Sequence, residues 1–414
     1  MNGQTSNATW PFLINQTMLN KCFSRNRLSN LDSHNTITVL DNHGEIYEGN
    51  NAFYEVWSRL DGKTPLHVII DIIQRKFCDT DPKIIQDDIV EIVNTMMSHG
   101  LVALNSYVSP CINMVDNRIL AAHIAITSAC NLHCNHCYLT DKDSTYISSK
   151  VFDSLLSDLA NNGVLTVEIS GGEPLMHKDF IQLLKCAKHY GFFIKLFTNA
   201  TLINDDNVAV IAELVDSFRI SLDGEKETHD SRRGNGSFQK TIHALHLLEG
   251  QDVQVSMTID SNNCNDIPIV EQIVSQLGFR FELSPVVPYS HIALKHSDLM
   301  QIKSKIDSFL LTDTISSKRA FTFGVHCDAA SRLIYINSQL DVSPCPLLSQ
   351  KKWCFGNLKD HSLQVLLNSS EYKDILLTLE KMKSQCSSCN LCQFWCAAII
   401  DQAPNRISPF CVIH

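Results

Sequence analysis

Residues 125–139, AITSACNLHCNHCYL, place Cys130, Cys134 and Cys137 in a C-x₃-C-x₂-C pattern. They follow an apolar run, residues 119–126, that is short and bounded by polar residues, as buried strands are. Three thiolates on one loop can bind three irons of a [4Fe–4S] cluster, whereas a purely structural cluster takes four. The pattern therefore predicts a cluster with one iron open to a small molecule. A zinc loop or chance clustering is the alternative.

A second motif follows downstream. Residues 165–170 form another apolar strand candidate, which runs directly into Gly171, Gly172, Glu173 and Pro174. This pair of motifs resembles the radical S-adenosylmethionine (radical SAM) superfamily. The resemblance implies that the amino and carboxylate groups of SAM bind the open iron, while the Gly-Gly-Glu-Pro turn accepts the SAM amino group. Glycines suit that turn because the backbone must come close to a ligand.

Composition limits the class of protein. A chain of 414 residues predicts two or three domains. It holds no apolar run of 18 residues, so no membrane span is expected, and its first residues lack the basic and apolar regions of a secretory signal. A net charge of −10 argues against nucleic acid as the main partner. The expected location is the cytoplasm.

Cysteine is frequent, with 16 residues. In a reducing compartment, clustered cysteines indicate bound metal rather than disulfides. Besides the opening loop, one cluster lies near the C-terminus and consists of Cys327, Cys345, Cys354, Cys386, Cys389, Cys392, Cys396 and Cys411.

The N-terminal part divides into two segments. Residues 1–34 are polar and without pattern, so we expect an extension. Residues 35–105 contain a hairpin around a turn with Gly44 and then three helices, at residues 51–60, 65–77 and 81–99. This order of elements is typical of a winged helix.

The charge of this segment helps to decide whether the winged helix binds DNA or a peptide. Residues 36–105 carry eleven Asp and Glu against five Lys and Arg, a net −6 that makes a poor phosphate binder. The segment resembles the leader-peptide recognition element of ribosomal-peptide maturases, which is related to the small carrier protein of pyrroloquinoline quinone biosynthesis (PqqD). The resemblance implies that the leader of a precursor peptide adds a strand to the edge of the hairpin. A plain accessory domain is the alternative.

Residues 106–323 alternate strands with helices. Alternating units predict a parallel sheet, and the six strand candidates fit the partial (β/α)₆ barrel of the radical SAM superfamily. The fold class is therefore α/β. In such barrels function collects at the C-terminal ends of strands, where both motifs lie. The strand candidates are residues 119–126, 165–170, 193–197, 217–222, 253–259 and 279–283.

The resemblance also implies contacts to SAM. Asn199 and Ser221 would face its ribose or methionine part, and Tyr138 its adenine. Arg233 would hold the carboxylate, because a guanidinium makes two parallel hydrogen bonds to it; Arg232 is the weaker candidate. Polar residues at strand ends can instead cap helices. The full predicted set is Tyr138, Ser170, Gly171, Gly172, Glu173, Pro174, Asn199, Ser221 and Arg233.

Residues 324–414 are similar to the SPASM domain, a module that binds auxiliary clusters. Leu340 occupies a position where that family has Gly. The gap between Cys389 and Cys392 is shorter than the corresponding gap in that family. The resemblance implies that Cys386, Cys389, Cys392 and Cys411 hold one [4Fe–4S] cluster. Cys327, Cys345 and Cys396 would hold a second, with Cys354 as the candidate fourth ligand. A zinc site at residues 386–392 is the alternative.

Together these resemblances imply an enzyme. It would cleave SAM reductively to a 5′-deoxyadenosyl radical, which abstracts hydrogen from a core peptide and leads to a carbon–carbon, carbon–oxygen or thioether cross-link. An electron donor such as flavodoxin or ferredoxin is the implied partner. Peptide epimerisation and sulfatase-maturase-like oxidation are alternatives, and a non-catalytic iron–sulfur protein is a remote one. No catalytic side chain is assigned; Asp223 is one available carboxylate.

Overall fold

The fold was taken from a computed structural model. It describes residues 14, 18–31, 36–41, 44, 46–104, 112–114, 119–139, 142–286, 301, 304–305, 327–384 and 396–402. The chain divides into two compact units, Met1–Asp116 and Asn117–His414. None of the helices that the structure describes is both long enough and apolar enough to cross a membrane.

The first unit contains the predicted hairpin and helices. Strands β3 (Ile37–Leu40) and β4 (Ile46–Gly49) pair antiparallel. Helix α1 (Asn51–Trp57) begins where the Asn50 side chain accepts hydrogen bonds from two backbone amides, as N-cap residues do. Helices α2 (Leu66–Lys76) and α3 (Pro82–Ser98) follow, and strand β6 (Val102–Leu104) comes after them. The winged-helix interpretation is confirmed.

Part of the expected extension belongs to this unit. Strand β1 (Cys22–Arg25) lies between β5 (Asp61–Pro65) and β6, and strand β2 (Ser29–Leu31) lies between β3 and β7 (Ile112–Met114). These short strands are held by backbone pairing on both sides, which needs no hydrophobic periodicity. Since β2 occupies the free side of β3, the outer strand of the hairpin within the described sheet is β4.

The core of the first unit is apolar. Trp57 is fully buried and its indole Nε1 donates to Ser29 Oγ at 2.9 Å, which satisfies its polar atom. Buried residues from the strands and all three helices pack around it, among them Phe23, Ile37, Leu66, Ile89 and Val93.

The second unit is built on the predicted parallel sheet. Its barrel strands are β8 (Ala121–Ala125), β9 (Thr166–Ser170), β10 (Phe193–Thr198), β11 (Ser217–Ser221), β12 (Val253–Ile259) and β13 (Arg280–Pro285). Each pairs in parallel with the next. The connecting helices are α4 (Ser149–Asn161), α5 (Phe180–Tyr190), α6 (Val208–Leu214), α7 (Lys226–Arg233), α8 (Ser237–Leu247) and α9 (Ile267–Gln276). Helix α7 was not predicted, because its sequence KETHDSRR has no apolar periodicity.

The C-terminal region extends this sheet, which the sequence did not indicate. Strand β14 (Leu333–Ile336) pairs in parallel with β8, and β15 (Asp341–Ser343) and β16 (Gly356–Asn357) continue antiparallel. Leu340 has φ +72°, so the residue that replaces the usual Gly adopts the left-handed conformation that Gly adopts easily. Helices α10 (Leu363–Leu367), α11 (Ser370–Ser384) and α12 (Ala397–Gln402) follow.

Candidate active site

The strand ends of the barrel surround a cavity of about 450 Å³. The thiols of the C-x₃-C-x₂-C loop, Cys130, Cys134 and Cys137, all line it. So do most of the predicted SAM contacts, namely Tyr138, Ser170, Gly171, Gly172, Asn199, Ser221 and Arg233. Glu173 and Pro174 are buried and are not among the lining residues that the structure describes.

The two glycines are required by the chain's own packing. Gly172 N donates to Thr127 O at 2.9 Å, and Glu173 N donates to Ala129 O at 2.8 Å. A Cβ atom would lie 2.3 Å from Thr127 O at Gly171 and 2.4 Å from Ala129 O at Gly172. These glycines therefore allow the turn after β9 to close against the start of the Cys loop, and their approach to a ligand stays a prediction.

Glu173 joins two strand ends. Its carboxylate accepts hydrogen bonds from Thr198 Oγ1 at 2.7 Å and from Asn199 N at 2.9 Å. Burial raises the pKa of Glu173 to about 7, although these donors favour the ionised form. The side chain thus fixes the end of β10 beside the Gly-Gly turn.

Asn199 is held in a network with the Cys loop. Its Nδ2 donates to Asn131 Oδ1 at 3.0 Å, and its Oδ1 accepts from Thr201 N at 2.9 Å. Asn131 Nδ2 in turn donates to Thr201 Oγ1 at 2.8 Å. Asn199 therefore positions the loop that carries the cysteines, and its contact with SAM stays a prediction.

The two neighbouring arginines have different surroundings. Arg233 lines the cavity, donates from Nε to Asp223 Oδ2 at 2.6 Å, and places Nη1 3.9 Å from Cys134 Sγ. Arg232 donates from Nη1 to Asp260 Oδ2 at 2.5 Å and from Nη2 to Thr258 O at 3.0 Å. Arg232 is thus used within the protein, so the geometry favours Arg233 as the ligand for a carboxylate.

Asp223 is not available as a base. It is fully buried and accepts from Arg233, from Thr258 N at 2.8 Å, and faces His136 Nε2 at 3.2 Å. Burial alone would raise its pKa, but Arg233 and then His136 hold the pKa of this carboxyl well below its usual range. It therefore stays ionised as the partner of Arg233.

Two residues of the cysteine segment were missed by the sequence analysis. His136 lies between Cys134 and Cys137, and burial lowers the pKa of this imidazole to about 4. Lys142 reaches across the loop, where Nζ donates to Leu132 O at 2.8 Å. Both line the cavity. Neither position belongs to the motif, so only the folded loop places them there.

The surroundings of the cysteines fit an iron–sulfur cluster. Burial raises the pKa of the thiols of Cys130 and Cys134, while Lys142 and Arg233 act in the opposite direction. Leu132 N donates to Cys130 Sγ at 3.4 Å. Cations and N–H donors around thiolates are the usual outer shell of a thiolate-bound metal group. Among the described residues, no three His, Cys, Asp or Glu side chains are arranged to hold a single metal ion.

The C-terminal cysteines reach the same cavity. Cys345 lines it together with Pro346 and Leu347. Burial raises the pKa of the Cys345 thiol well above its usual range, and the nearby thiols of Cys327 and Cys396 add to this shift. The Cys354 thiol donates to Gly356 O at 3.4 Å. The other predicted auxiliary ligands, Cys386, Cys389, Cys392 and Cys411, lie outside the described residues.

Comparison with protein families identifies these parts. Residues 124–260 match the radical SAM superfamily, residues 327–393 the SPASM iron–sulfur cluster-binding domain, and residues 33–102 coenzyme PQQ synthesis protein D (PqqD). This chain therefore contains a radical SAM domain. It also carries a SPASM domain and a PqqD domain, so the predicted partial barrel and both resemblances are confirmed. The exact domain boundaries stay predictions.

Relatives of this chain include a synthase and a bacteriocin biosynthesis protein. Fe-coproporphyrin III synthase of Methanosarcina barkeri is 34% identical, but the match spans only 36% of this chain and 40% of that protein. The subtilosin biosynthesis protein AlbA of Bacillus subtilis is 28% identical over 78% of this chain and 77% of its own length.

Solved structures share the fold. SuiB of Streptococcus suis, in a complex with the precursor peptide SuiA, superposes with a TM-score of 0.62 and 16% identity. The superposition covers 93% of this chain and 98% of SuiB. At this identity the likeness shows that the two proteins share a fold.

Proposed function

We propose that this radical SAM protein matures a ribosomally made precursor peptide by forming a cross-link within it. The main observation behind the proposal is that the thiols of the Cys loop and Cys345 of the SPASM domain line the same cavity. A PqqD domain in the same chain supports a peptide as the substrate. AlbA, named for subtilosin biosynthesis, and the complex of SuiB with SuiA support the same class of reaction.

The residues present would hold the cofactors as follows. Cys130, Cys134 and Cys137 would bind the [4Fe–4S] cluster that binds SAM, and Arg233 would orient the SAM carboxylate. When bound, the cluster supplies the electron that cleaves SAM reductively to the 5′-deoxyadenosyl radical, which takes hydrogen from the peptide. The C-terminal cysteines would hold two auxiliary clusters, which gives three in total.

The chain's own residues organise the cavity around this chemistry. Glu173, Asn199 and Asn131 hold the ends of β9 and β10 against the Cys loop. Asp223 holds the Arg233 guanidinium at the cavity wall. Because Glu173, Asn199, Asp223 and Arg233 are buried and already hydrogen-bonded, they keep their positions without a bound ligand, as a site for a reactive intermediate requires.

The first unit would bind the leader peptide of the precursor. Strand β4 is the outer strand of its sheet within the described residues, and the exposed side chain of Ile46 lies on it. Strand addition to such an edge takes affinity from main-chain hydrogen bonds and selectivity from alternate side chains. The net charge of −6 across residues 36–105 disfavours DNA as the ligand.

A cross-link is favoured over epimerisation because Cys345 is on the cavity wall. An auxiliary cluster held there would lie beside the peptide and could take back the electron that a net oxidation releases. We place the reaction in the cytoplasm, where thiols stay reduced and where flavodoxin or ferredoxin can supply the first electron.

The test uses as candidate precursors any short peptides that the reading frames next to this gene encode. Anaerobic incubation with SAM and a reductant should yield 5′-deoxyadenosine and a peptide lighter by two hydrogens. An unchanged peptide mass with an inverted α-carbon would favour epimerisation instead. Release of 5′-deoxyadenosine without any change in that peptide would remove the support for this substrate.

A further inference from the structure

Three polar side chains form a chain on the wall of the cavity. His123 of β8 lies between two residues of β9: its Nδ1 is 2.9 Å from Glu168 Oε2, and its Nε2 is 2.6 Å from Ser170 Oγ. His123 and Glu168 are direct partners in the parallel register of the two strands. All three residues line the cavity, although His123 is only 5% exposed and Ser170 only 4%.

These two hydrogen bonds indicate which ring nitrogen of His123 carries the proton. A carboxylate only accepts hydrogen bonds, so Glu168 accepts from the Nδ1–H of His123. Nε2, at 2.6 Å, is then the nearer acceptor for the Ser170 hydroxyl, which also lies 3.3 Å from Ile124 O. A base oriented by a carboxylate and hydrogen-bonded to a hydroxyl is the arrangement that enzymes use to move protons.

The neighbouring charges keep the Glu168 carboxylate ionised. Burial would raise the pKa of Glu168, but the hydrogen bond from His123, and then the charges of His123, Lys195 and Arg219, hold it below the usual range. Arg219 of β11 also forms an ion pair with Glu282 of β13. The charged groups that surround these three polar side chains are therefore Lys195, Arg219 and Glu282. Glu168 stays ionised among them.

The other carboxylates and the other imidazole at or behind the wall of this cavity have partners of their own. Asp223 is bound to Arg233, Glu173 binds the end of β10, and Glu282 is paired with Arg219. His136 lies between two predicted cluster ligands and faces Asp223. A proton released in the cavity therefore has its best acceptor in the Ser170 hydroxyl backed by His123.

We propose that Ser170, His123 and Glu168 form a proton relay that accepts the proton released when the cross-link closes. This inference rests on the proposed function. One hydrogen atom of the peptide ends in 5′-deoxyadenosine, and the resulting carbon radical bonds to a second peptide atom. The bond between that atom and its hydrogen breaks, and its proton passes to Ser170 as Ser170 gives its own to His123 Nε2. The remaining electron goes to an oxidised iron–sulfur cluster.

The test compares Glu168→Gln, His123→Gln and Ser170→Ala with the parent protein, each loaded with clusters and given precursor, SAM and reductant in deuterated buffer. His177→Gln is the matched control, since His177 is also buried, but its Nε2 is 2.8 Å from Ile147 O and it does not line the cavity. The measured quantities are cross-linked product, 5′-deoxyadenosine and deuterium in the recovered peptide.

We expect the ratio of product to 5′-deoxyadenosine to fall about 100-fold in His123→Gln, the usual contribution of general acid–base catalysis. Peptide radicals that fail to close should be reduced and pick up solvent deuterium. His177→Gln should keep the parent ratio.

A parent-like ratio in both Ser170→Ala and Glu168→Gln would overturn the relay, and these two small changes decide the matter if His123→Gln does not fold. An equal fall in product and 5′-deoxyadenosine would assign the three residues to SAM positioning and would also overturn it. Absence of hydrogen transfer from the peptide in the parent would instead count against the proposed function.

Discussion

The first unit and the barrel use polar groups in opposite ways. The first unit buries an apolar core around Trp57 and presents the backbone of β4 at the edge of its sheet. The barrel carries charged side chains on the wall of its cavity, among them Glu168, Arg219 and Glu282. Backbone recognition needs few specific side chains, whereas radical chemistry needs many held in place. The two functions should therefore fail separately when each unit is changed.

The largest effect is expected at the Cys loop. Replacing Cys130, Cys134 and Cys137 together by Ala should remove about four of about 12 iron atoms, because each [4Fe–4S] cluster contains four irons. SAM cleavage should disappear, while leader binding by the first unit should remain. Iron analysis and 5′-deoxyadenosine release measure both.

Cys186→Ala is the matched control, because the Cys186 thiol donates to Asp153 and is not among the described lining residues of the cavity. It should keep the iron content and cleavage of the parent. Undiminished SAM cleavage in the triple variant would contradict the radical SAM assignment of this loop.

The next effect separates the two arginines. Arg233→Lys should weaken SAM binding, since Lys cannot make two parallel hydrogen bonds to a carboxylate. Loss of such a buried charged contact costs about 2–4 kcal/mol, or roughly 30- to 1000-fold in affinity. Equilibrium binding of SAM to the cluster-loaded protein measures the change.

Arg232→Lys is the neighbour for comparison, because Arg232 contacts Asp260 and Thr258 inside the protein. This substitution should lower the free energy of unfolding by more than it weakens the free energy of SAM binding. The reverse pattern, with SAM binding lost only in Arg232→Lys, would show that the carboxylate ligand is one residue earlier.

A smaller effect is expected at Glu173. Its pKa is raised from 4.5 to about 7 in the folded protein, so the native state binds a proton more tightly than the unfolded chain does. This contribution to stability is complete below about pH 4.5 and is lost as the pH rises through about 7. The fall in the free energy of unfolding is on the order of 1–3 kcal/mol in the parent protein. Glu173→Gln should not show this fall, because its side chain cannot ionise.

Urea unfolding at pH 5 and pH 7.5 checks this difference under anaerobic conditions. Asp143→Asn is the control, since Asp143 is a carboxyl at the exposed side of the same region. An identical pH dependence in the parent and in Glu173→Gln would show that Glu173 is ionised in both states.

Local patterns in the sequence were enough for the barrel strands, the hairpin and the Cys loop, because each depends on periodicity or on spacing within one segment. Contacts between segments were not. The pairing of His123 with Glu168 depends on strand register, and the burial of Asp223 depends on Arg233 and His136 folding over it. Strand β1 was missed because its stability comes from neighbours on both sides rather than from its own composition. The place of β14 was missed because its apolar sequence does not reveal that it pairs with the distant strand β8.

The most direct test removes the first unit, Met1–Asp116, and follows two activities of the remaining chain. SAM cleavage without peptide should stay near the parent rate, which also shows that the barrel is folded. Modification of the full precursor should fall roughly 100-fold or more, since a second contact within one complex typically raises apparent affinity by 10²–10⁴. A truncated protein that modifies the full precursor as fast as the parent would contradict the assignment of the first unit as the reader of the leader.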